Sequence, residues 1–349
     1  MTKRYLLFVN LPYAYSILRP LQEEIRKRGA DVAWFIEREC ENCLLEGEKR
    51  LVTVDEVKSF NAAATITPGN FIYDFFPGIK VAVFHGYFIG KRGEKTYEEA
   101  SHFRIRGWFD LYCTQGPSST GPYQHLEKLD GTFKAYETGW CKVDTYVNGK
   151  AAPATNPPTI LYATTFTKSV TSVEAVYETI ERLSETREWN WILTFHPRLH
   201  GSAIVDKYKA LAERRDNVRY VHNIDLHSVN EASVMLCDSS SIILEFMLQD
   251  KPVVTYRNTN PGPHLLDVQS IAEIEPALDK ALTRPPSLIK GIQNYVAHHE
   301  KYRDGRNSAR VIDAIDDFIH CYKDKLKPKK PGLWRKLQVR KRLGYWKLN

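Results

Sequence analysis

Residues 233–256 read Ser233-Val-Met-Leu-Cys237-Asp238-Ser239-Ser240-Ser241-Ile242-Ile-Leu-Glu245-Phe-Met-Leu248-Gln-Asp-Lys-Pro252-Val-Val-Thr-Tyr256. A short apolar strand, Val234 to Cys237, runs into Asp238 and three serines. An apolar helix follows over Ile242 to Leu248, then a Gln249-Asp250-Lys251-Pro252 turn and a second apolar strand. Strand, hydroxyl-rich turn and helix start predict an anion site. The first amides of a helix lack internal partners, and the helix dipole places partial positive charge there. Ser239, Ser240 and Ser241 add hydroxyls that would orient a diphosphate.

The same strand–helix rhythm extends outward. In the first half, strands are expected at Tyr5–Asn10, Val32–Ile36, Val81–Phe84 and Leu111–Thr114, with an amphipathic helix over Leu21–Arg28 stopped by Gly29. Residues 149–158, small and proline-rich, read as a linker. Beyond it the expected order is strand Ile160–Ala163, helix Val173–Glu185, strand Trp191–Phe195, helix Tyr208–Arg214, strand Val218–Tyr220 and strand Val234–Cys237. Alternating βαβ units predict α/β architecture with parallel sheets. The expectation is two Rossmann-like, doubly wound domains with a central cleft: 1–150 on the acceptor side, 151–324 binding a nucleotide donor, and a basic tail over 325–349. Ligands of such folds sit at the carboxyl ends of strands.

At 349 residues, 43% hydrophobic and 26% charged, the composition is that of a globular protein, not a disordered or fibrous one. No apolar run reaches the length of a membrane span, and the N-terminus lacks signal-peptide character. The six cysteines are scattered, and Cys40-Glu-Asn-Cys43 is a lone CxxC, so reduced thiols in a cytoplasmic protein are expected. The net charge of +7 is uneven: residues 325–349 hold ten Lys and Arg and no acid, leaving residues 1–324 at −3. Leu333, Trp334, Leu337, Val339, Leu343, Tyr345 and Trp346 interleave with those cations. The mixture favours an anionic membrane surface over a solvated tail or a nucleic-acid partner.

Further candidates lie at strand ends. His85-Gly86 follows VAVF, where histidine reads as a general base or as a loop cap, and glycine as a turn or a close approach. His196-Pro197-Arg198 follows WILTF, as phosphate ligands or a surface turn. Thr164-Thr165 after ILYA is a weaker hydroxyl cluster. Glu245 stands one helical turn past Ser241 and could take ribose hydroxyls. Ser308, in Asp304-Gly-Arg-Asn-Ser308, reads as the N-cap of a helix over Ala309–Ile319.

Taken in order, His85-Gly86, the YATTF strand end, His196-Pro197, D-S-S-S-x-x-x-E-F with D-K-P, and DGRNSARV resemble the CDP-glycerol glycerophosphotransferase family of teichoic acid polymerases and primases. The resemblance covers about residues 80–312. It implies a GT-B fold and transfer of a polyol phosphate from a CDP-activated donor to a hydroxyl of a lipid-linked glycan or polymer, releasing CMP. It implies His85 as general base, and His196 with the serines as ligands of the donor diphosphate. With Arg198 as a further phosphate ligand, Gly86, Lys91, Thr164, Thr165 and Asp238 become possible acceptor or donor contacts. No metal or bound cofactor is expected, since no DxD-type cluster stands near the serines. The protein is expected peripherally at the inner face of the cytoplasmic membrane. Ser239 stands where that family usually carries tyrosine. DGRNSARV also resembles the end of UDP-N-acetylglucosamine 2-epimerases, and His-Pro with Ser-Ser is similar to bacterial sialyltransferases. A GT-B glycosyltransferase using a CMP- or UDP-sugar in capsule or lipopolysaccharide synthesis is therefore the alternative.

Overall fold

The computed structural model describes residues 2–88, 101–148, 156–222, 224–329 and 332–346. Lys91 and residues 149–155 of the expected linker lie outside them. The chain forms two α/β units.

The first unit carries strands β1 (Arg4–Val9), β2 (Asp31–Ile36), β3 (Arg50–Leu51), β4 (Ala64–Thr67), β5 (Ile79–Ala82), β6 (Leu111–Thr114) and β7 (Lys134–Glu137). They form one parallel sheet in the order β3-β2-β1-β4-β5-β6-β7. Between them run helices α1 (Ala14–Lys27), α2 (Val54–Phe60) and α3 (Pro117–Asp130), and α4 (Val143–Asn148) follows β7. Near-continuous burial along β1, β4, β5 and β6 is what a sheet covered on both faces requires.

The second unit begins with β8 (Thr159–Thr164) and continues through α5 (Tyr177–Thr186), β9 (Asn190–Phe195), α6 (Ala203–Arg214), β10 (Val218–Tyr220), α7 (Leu226–Glu231), β11 (Val234–Cys237), α8 (Ile242–Met247), β12 (Val253–Tyr256), β13 (Leu266–Val268), α9 (Ile274–Leu282) and α10 (Pro286–His299). Its parallel sheet has the order β10-β9-β8-β11-β12-β13. Crossing from β10 back past β8 to β11 puts a topological switch between β8 and β11. In such sheets the switch marks the ligand-binding strand ends.

The largest departure from the sequence reading concerns residues after Ala297. The second domain was expected to continue to 324, yet from His298 the chain belongs to the first unit. Helix α11 (Asn307–Cys321) lies against α1 and β1: Arg28 Nη1 donates to Asp313 at 2.7 Å and Nη2 to the Ala309 carbonyl at 3.1 Å, and Tyr5 Oη reaches Asp316 at 3.4 Å. Two glycines mark the close approach. A Cβ on Gly116, at the start of α3, would meet the His299 carbonyl oxygen at 2.6 Å. One on Gly139 would meet Asn307 at 2.5 Å. Ser308 does not cap α11; it lies inside the first turn. Asp144 of α4 caps the helix instead, accepting from Asn307 N at 2.9 Å and Ser308 N at 2.7 Å.

The expected tail is folded as well. Helix α12 (Leu333–Leu343) sends Val339 and Leu343 into the core of the first unit, and Tyr345 stacks on Phe75 with centroids 4.9 Å apart. Burying each such side chain is worth roughly 1.5–3 kcal/mol, enough to hold the segment down.

Other differences are local. Pro20 predicts that α1 starts at Leu21, because proline disfavours a helix interior. The helix starts at Ala14 because Tyr15, Ile17 and Leu18 are buried. The strand expected at Val81–Phe84 ends at Ala82, since Phe84 turns to a positive φ of 56°. That conformation is costly for a bulky residue and marks the loop carrying His85.

Candidate functional site

In the first unit, the loop after β5 presents His85. Its Nδ1 lies 3.2 Å from the Pro68 carbonyl oxygen, which can only accept, so Nδ1 carries the proton and Nε2 the lone pair. Burial, helped by the nearby charge of Arg106, pushes the His85 pKa below its ordinary 6.5. A neutral imidazole whose Nε2 has no hydrogen bond among the described residues can take a proton. The loop is pinned on three sides. Trp140 Nε1 donates to the Phe84 carbonyl at 3.2 Å, Gln115 Nε2 to the Gly86 carbonyl at 3.1 Å, and Tyr87 Oη to Glu300 at 2.7 Å. A Cβ on Gly86 would meet nothing within 4 Å, so packing does not demand glycine there. Tyr13 faces His85 at a ring distance of 5.4 Å.

Glu300, Gln115 and Trp140 were missed by the sequence reading. Glu300 is fully buried, and its carboxyl also accepts from Trp140 N at 3.1 Å and Asn307 Nδ2 at 3.2 Å. Burial pushes its pKa up to about 8, against the opposing effect of those donors. Asn307, in the DGRNS run, donates to Glu300 at 3.2 Å and to the Trp140 carbonyl at 3.1 Å, tying the returning chain to the rest of the first unit.

In the second unit, the strand ends of β8, β9 and β11 carry the expected residues, but they divide into two roles. Asp238 is buried and accepts from Thr165 N at 2.9 Å, Ser172 N at 3.0 Å, Ser239 N at 2.7 Å and the Thr164 hydroxyl. Ser239 Oγ accepts from Thr259 N at 2.9 Å. Thr164 and Asp238 are therefore engaged in joining loops, while Ser239 Oγ accepts from the Thr259 loop and keeps its O–H. Thr165 enters the same network through its main chain, and its side chain is buried. Asp238→Asn is expected to destabilise this unit by about 1–3 kcal/mol, because an amide NH2 would face N–H donors. A denaturation midpoint equal to wild type would contradict that role.

Ser240, Ser241 and Glu245 remain half-buried at the start of α8. The two serine hydroxyls make no hydrogen bond among the described residues. Helix α8 is only six residues long, so its dipole is weak and the anion would depend on loop amides and hydroxyls. Across the sheet, His196 Nδ1 accepts from Arg198 N at 3.2 Å, which leaves the proton on Nε2. Phe166, from the loop after β8, meets the His196 ring at 4.3 Å and lies 4.7 Å under the Arg198 guanidinium. The two histidines thus have opposite tautomers: His85 can accept a proton, whereas His196 donates a hydrogen bond and so suits an anion.

A small cavity of about 20 Å³ beneath Ser239 and Ser240 is closed by Asn258, Thr259, His264 and Tyr295. His264 and Tyr295 stack at 3.7 Å, and burial pushes His264 down to about 4. The Pro-Gly-Pro-His run was the only sequence signal for this support. Among the described residues, no group of three His, Cys, Asp or Glu could hold a metal ion, and no helix is long and apolar enough to cross a membrane.

Two Rossmann-like units of this kind define the GT-B class. The comparisons place the chain within it. Residues 160–316 match the family model of UDP-N-acetylglucosamine 2-epimerase. A curated protein of Ralstonia nicotianae, described as a probable UDP-N-acetylglucosamine 2-epimerase, is 25% identical over 111 residues. That match spans 30% of each chain. Among solved structures, the wall teichoic acid polymerase TagF is similar with a TM-score of 0.64 at 12% identity, covering 91% of this chain and 89% of that one. A putative UDP-N-acetylglucosamine 2-epimerase from Listeria monocytogenes is similar with a TM-score of 0.60 at 13% identity, covering 92% and 97%. The Neisseria meningitidis UDP-GlcNAc 2-epimerase gives 0.57 at 12% identity, covering 90% and 100%. At these identities the solved structures establish the fold. The family model and the curated relative are both of UDP-N-acetylglucosamine 2-epimerase, each over less than half of this chain.

Proposed function

We propose that the protein transfers a polyol phosphate from a CDP-activated donor to a hydroxyl of a membrane-linked polymer. The observation that carries this reading is the tautomer of His85. Nδ1–H is engaged by a carbonyl, Nε2 has no hydrogen bond among the described residues, and burial lowers the ring's pKa. In the reaction, His85 Nε2 takes the acceptor hydroxyl proton. The resulting oxygen attacks the donor's distal phosphorus, the bond from that phosphorus to the bridging oxygen breaks, and CMP leaves with that oxygen. In the second unit, His196 Nε2–H, Arg198, Ser240 and Ser241 stabilise the phosphates, and Glu245 takes the ribose hydroxyls. The chemistry needs mainly positioning and charge stabilisation. A TagF structure soaked with CDPG supports such a donor on this fold. The exposed apolar and basic residues of 332–346 support peripheral association with an anionic membrane, at its inner face, where a lipid-linked acceptor would be met.

The match of residues 160–316 to an epimerase model favours a second reading, an enzyme acting on a nucleotide sugar. A thermal-shift screen with CDP-glycerol, CDP-ribitol, CMP-sugars and UDP-sugars separates the two. A CDP-polyol at about a hundredfold excess over Kd adds about 2.7 kcal/mol, and roughly 5 °C or more in Tm is expected. Stabilisation by UDP-sugars alone would remove the first reading. A glycosidic rather than phosphodiester product would do the same.

A further inference from the structure

Helix α12 is apolar on two sides. At 100° per residue, Val339 and Leu343 share the buried face, and Trp334, Leu337 and Lys341 lie on the opposite one. The outward residues are strongly exposed: Leu333 by 75%, Trp334 by 72%, Leu337 by 38% and, just past the helix, Trp346 by 57%. Leu129, at the end of α3, adds a fifth at 67%. The inner face already secures the helix, so folding does not require the outer set.

Beside this set, still within the first unit, is an open cavity of about 490 Å³ walled by Arg106, Gly107, Asp130, Thr132, Lys327 and Arg335. Its cationic walls are held by main-chain bonds. Lys327 N donates to the Gly131 carbonyl at 3.0 Å, and Arg335 Nη1 donates to the Arg106 carbonyl at 3.1 Å. Lys329 alongside is spent, tied to the Trp108 carbonyl at 3.0 Å and ion-paired with Asp110 at 2.6 Å. Asp130, the one acidic wall residue among those described, accepts from Thr132 N at 3.0 Å and from the Thr132 hydroxyl, so it is committed to its own turn. Neither Lys327 nor Arg335 has an ion pair among the described residues. Lys327 and Arg335 beside one occupied carboxylate make a cationic pocket, and Trp334 precedes Arg335 directly in the chain.

We propose that this cavity binds the phosphate of an anionic phospholipid headgroup, while Leu333, Trp334, Leu337 and Trp346 enter the membrane interface. Aromatic and leucine side chains suit the acyl boundary, and each Lys or Arg near an anionic surface strengthens binding several-fold. The inference rests on the membrane association proposed above, and adds to it a defined headgroup site.

Two measurements on the full chain test it. Calorimetric titration with monomeric dihexanoyl phosphatidylglycerol is expected to show saturable binding. That binding should weaken about tenfold or more in K327Q/R335Q, persist in K327R/R335K, and be unchanged in K336Q/K341Q, which removes two charges of the same helix outside the cavity. Inorganic phosphate binding as tightly as the lipid would overturn the headgroup assignment. Co-sedimentation with phosphatidylglycerol-containing vesicles is expected for wild type, and loss of pelleting for W334S/L337S. Equal weakening by the two charge-pair variants would overturn the cavity as a site and leave general membrane association standing. Absence of wild-type pelleting would overturn that association and the lipid site with it.

Discussion

Replacement of His85 by alanine is expected to slow single-turnover transfer by about 10²–10⁴-fold, equivalent to about 3–5 kcal/mol of barrier. Donor binding should hardly change, because the residues proposed to hold the donor phosphates belong to the second unit. The pH dependence carries a sign. Burial, then the charge of Arg106, holds His85 below its ordinary 6.5, so the base is unprotonated at neutral pH. The kcat/KM profile should rise with pH through an acidic limb placed below 6.5 and then level off. Arg106→Gln removes the repelling charge and should move that limb toward higher pH. Full-rate transfer by His85→Ala would remove the base role. An acid limb unmoved in Arg106→Gln would remove the electrostatic account of it.

The second large effect concerns stability. Glu300→Ala would leave two buried donors, Tyr87 Oη and Trp140 N, without the acceptor they use, while Asn307 Nδ2 keeps the Trp140 and Tyr302 carbonyls. At about 1–3 kcal/mol for each orphaned group, a loss of about 3–5 kcal/mol is expected, or roughly 10 °C in Tm. The loop of His85 should loosen with it, since Tyr87 is two residues away. The pH sign here is opposite to that of a salt-bridged acid. Burial raises the Glu300 pKa from 4.5 to about 8 in the folded chain. Its contribution is fully present below about 4.5 and is lost as pH rises through about 8. Glu300→Gln should flatten the decline of stability over that window. A wild-type Tm that is level from acid to mildly alkaline pH would count against a protonated Glu300.

Much of this could be read along the chain because parallel strands are short, apolar and buried on both faces. Val218–Tyr220 and Val234–Cys237 coincide with β10 and β11. What could not be read is where one residue's hydrogen bonds go. Asp238 stands in a phosphate-like motif, but its carboxyl oxygens are taken by Thr165 and Ser172, loops distant in sequence. Ser308 looked like a cap, and the cap came from Asp144. Glu300 had no local pattern at all, because its importance comes from long-range burial. The basic stretch after residue 325 was legible as charge, but not as a helix docked by Val339 and Leu343. Those two apolar positions were outnumbered by the cations around them.

The return of the chain at His298 has a consequence for how the molecule is made. The first unit is discontinuous: β1 to β7 are synthesised early, yet α11 and α12 emerge only after the whole second unit has left the ribosome. Domains generally fold as units during synthesis, the earlier one first. Here that order is reversed. Residues 156–297 can close their core while the nascent first sheet still lacks the helix that covers α1 and the glutamate that pins the His85 loop. A nascent chain halted once α10 has cleared the ribosomal exit tunnel would therefore hold a finished second unit beside a protease-sensitive first one. The unit that carries His85 would be the last to mature.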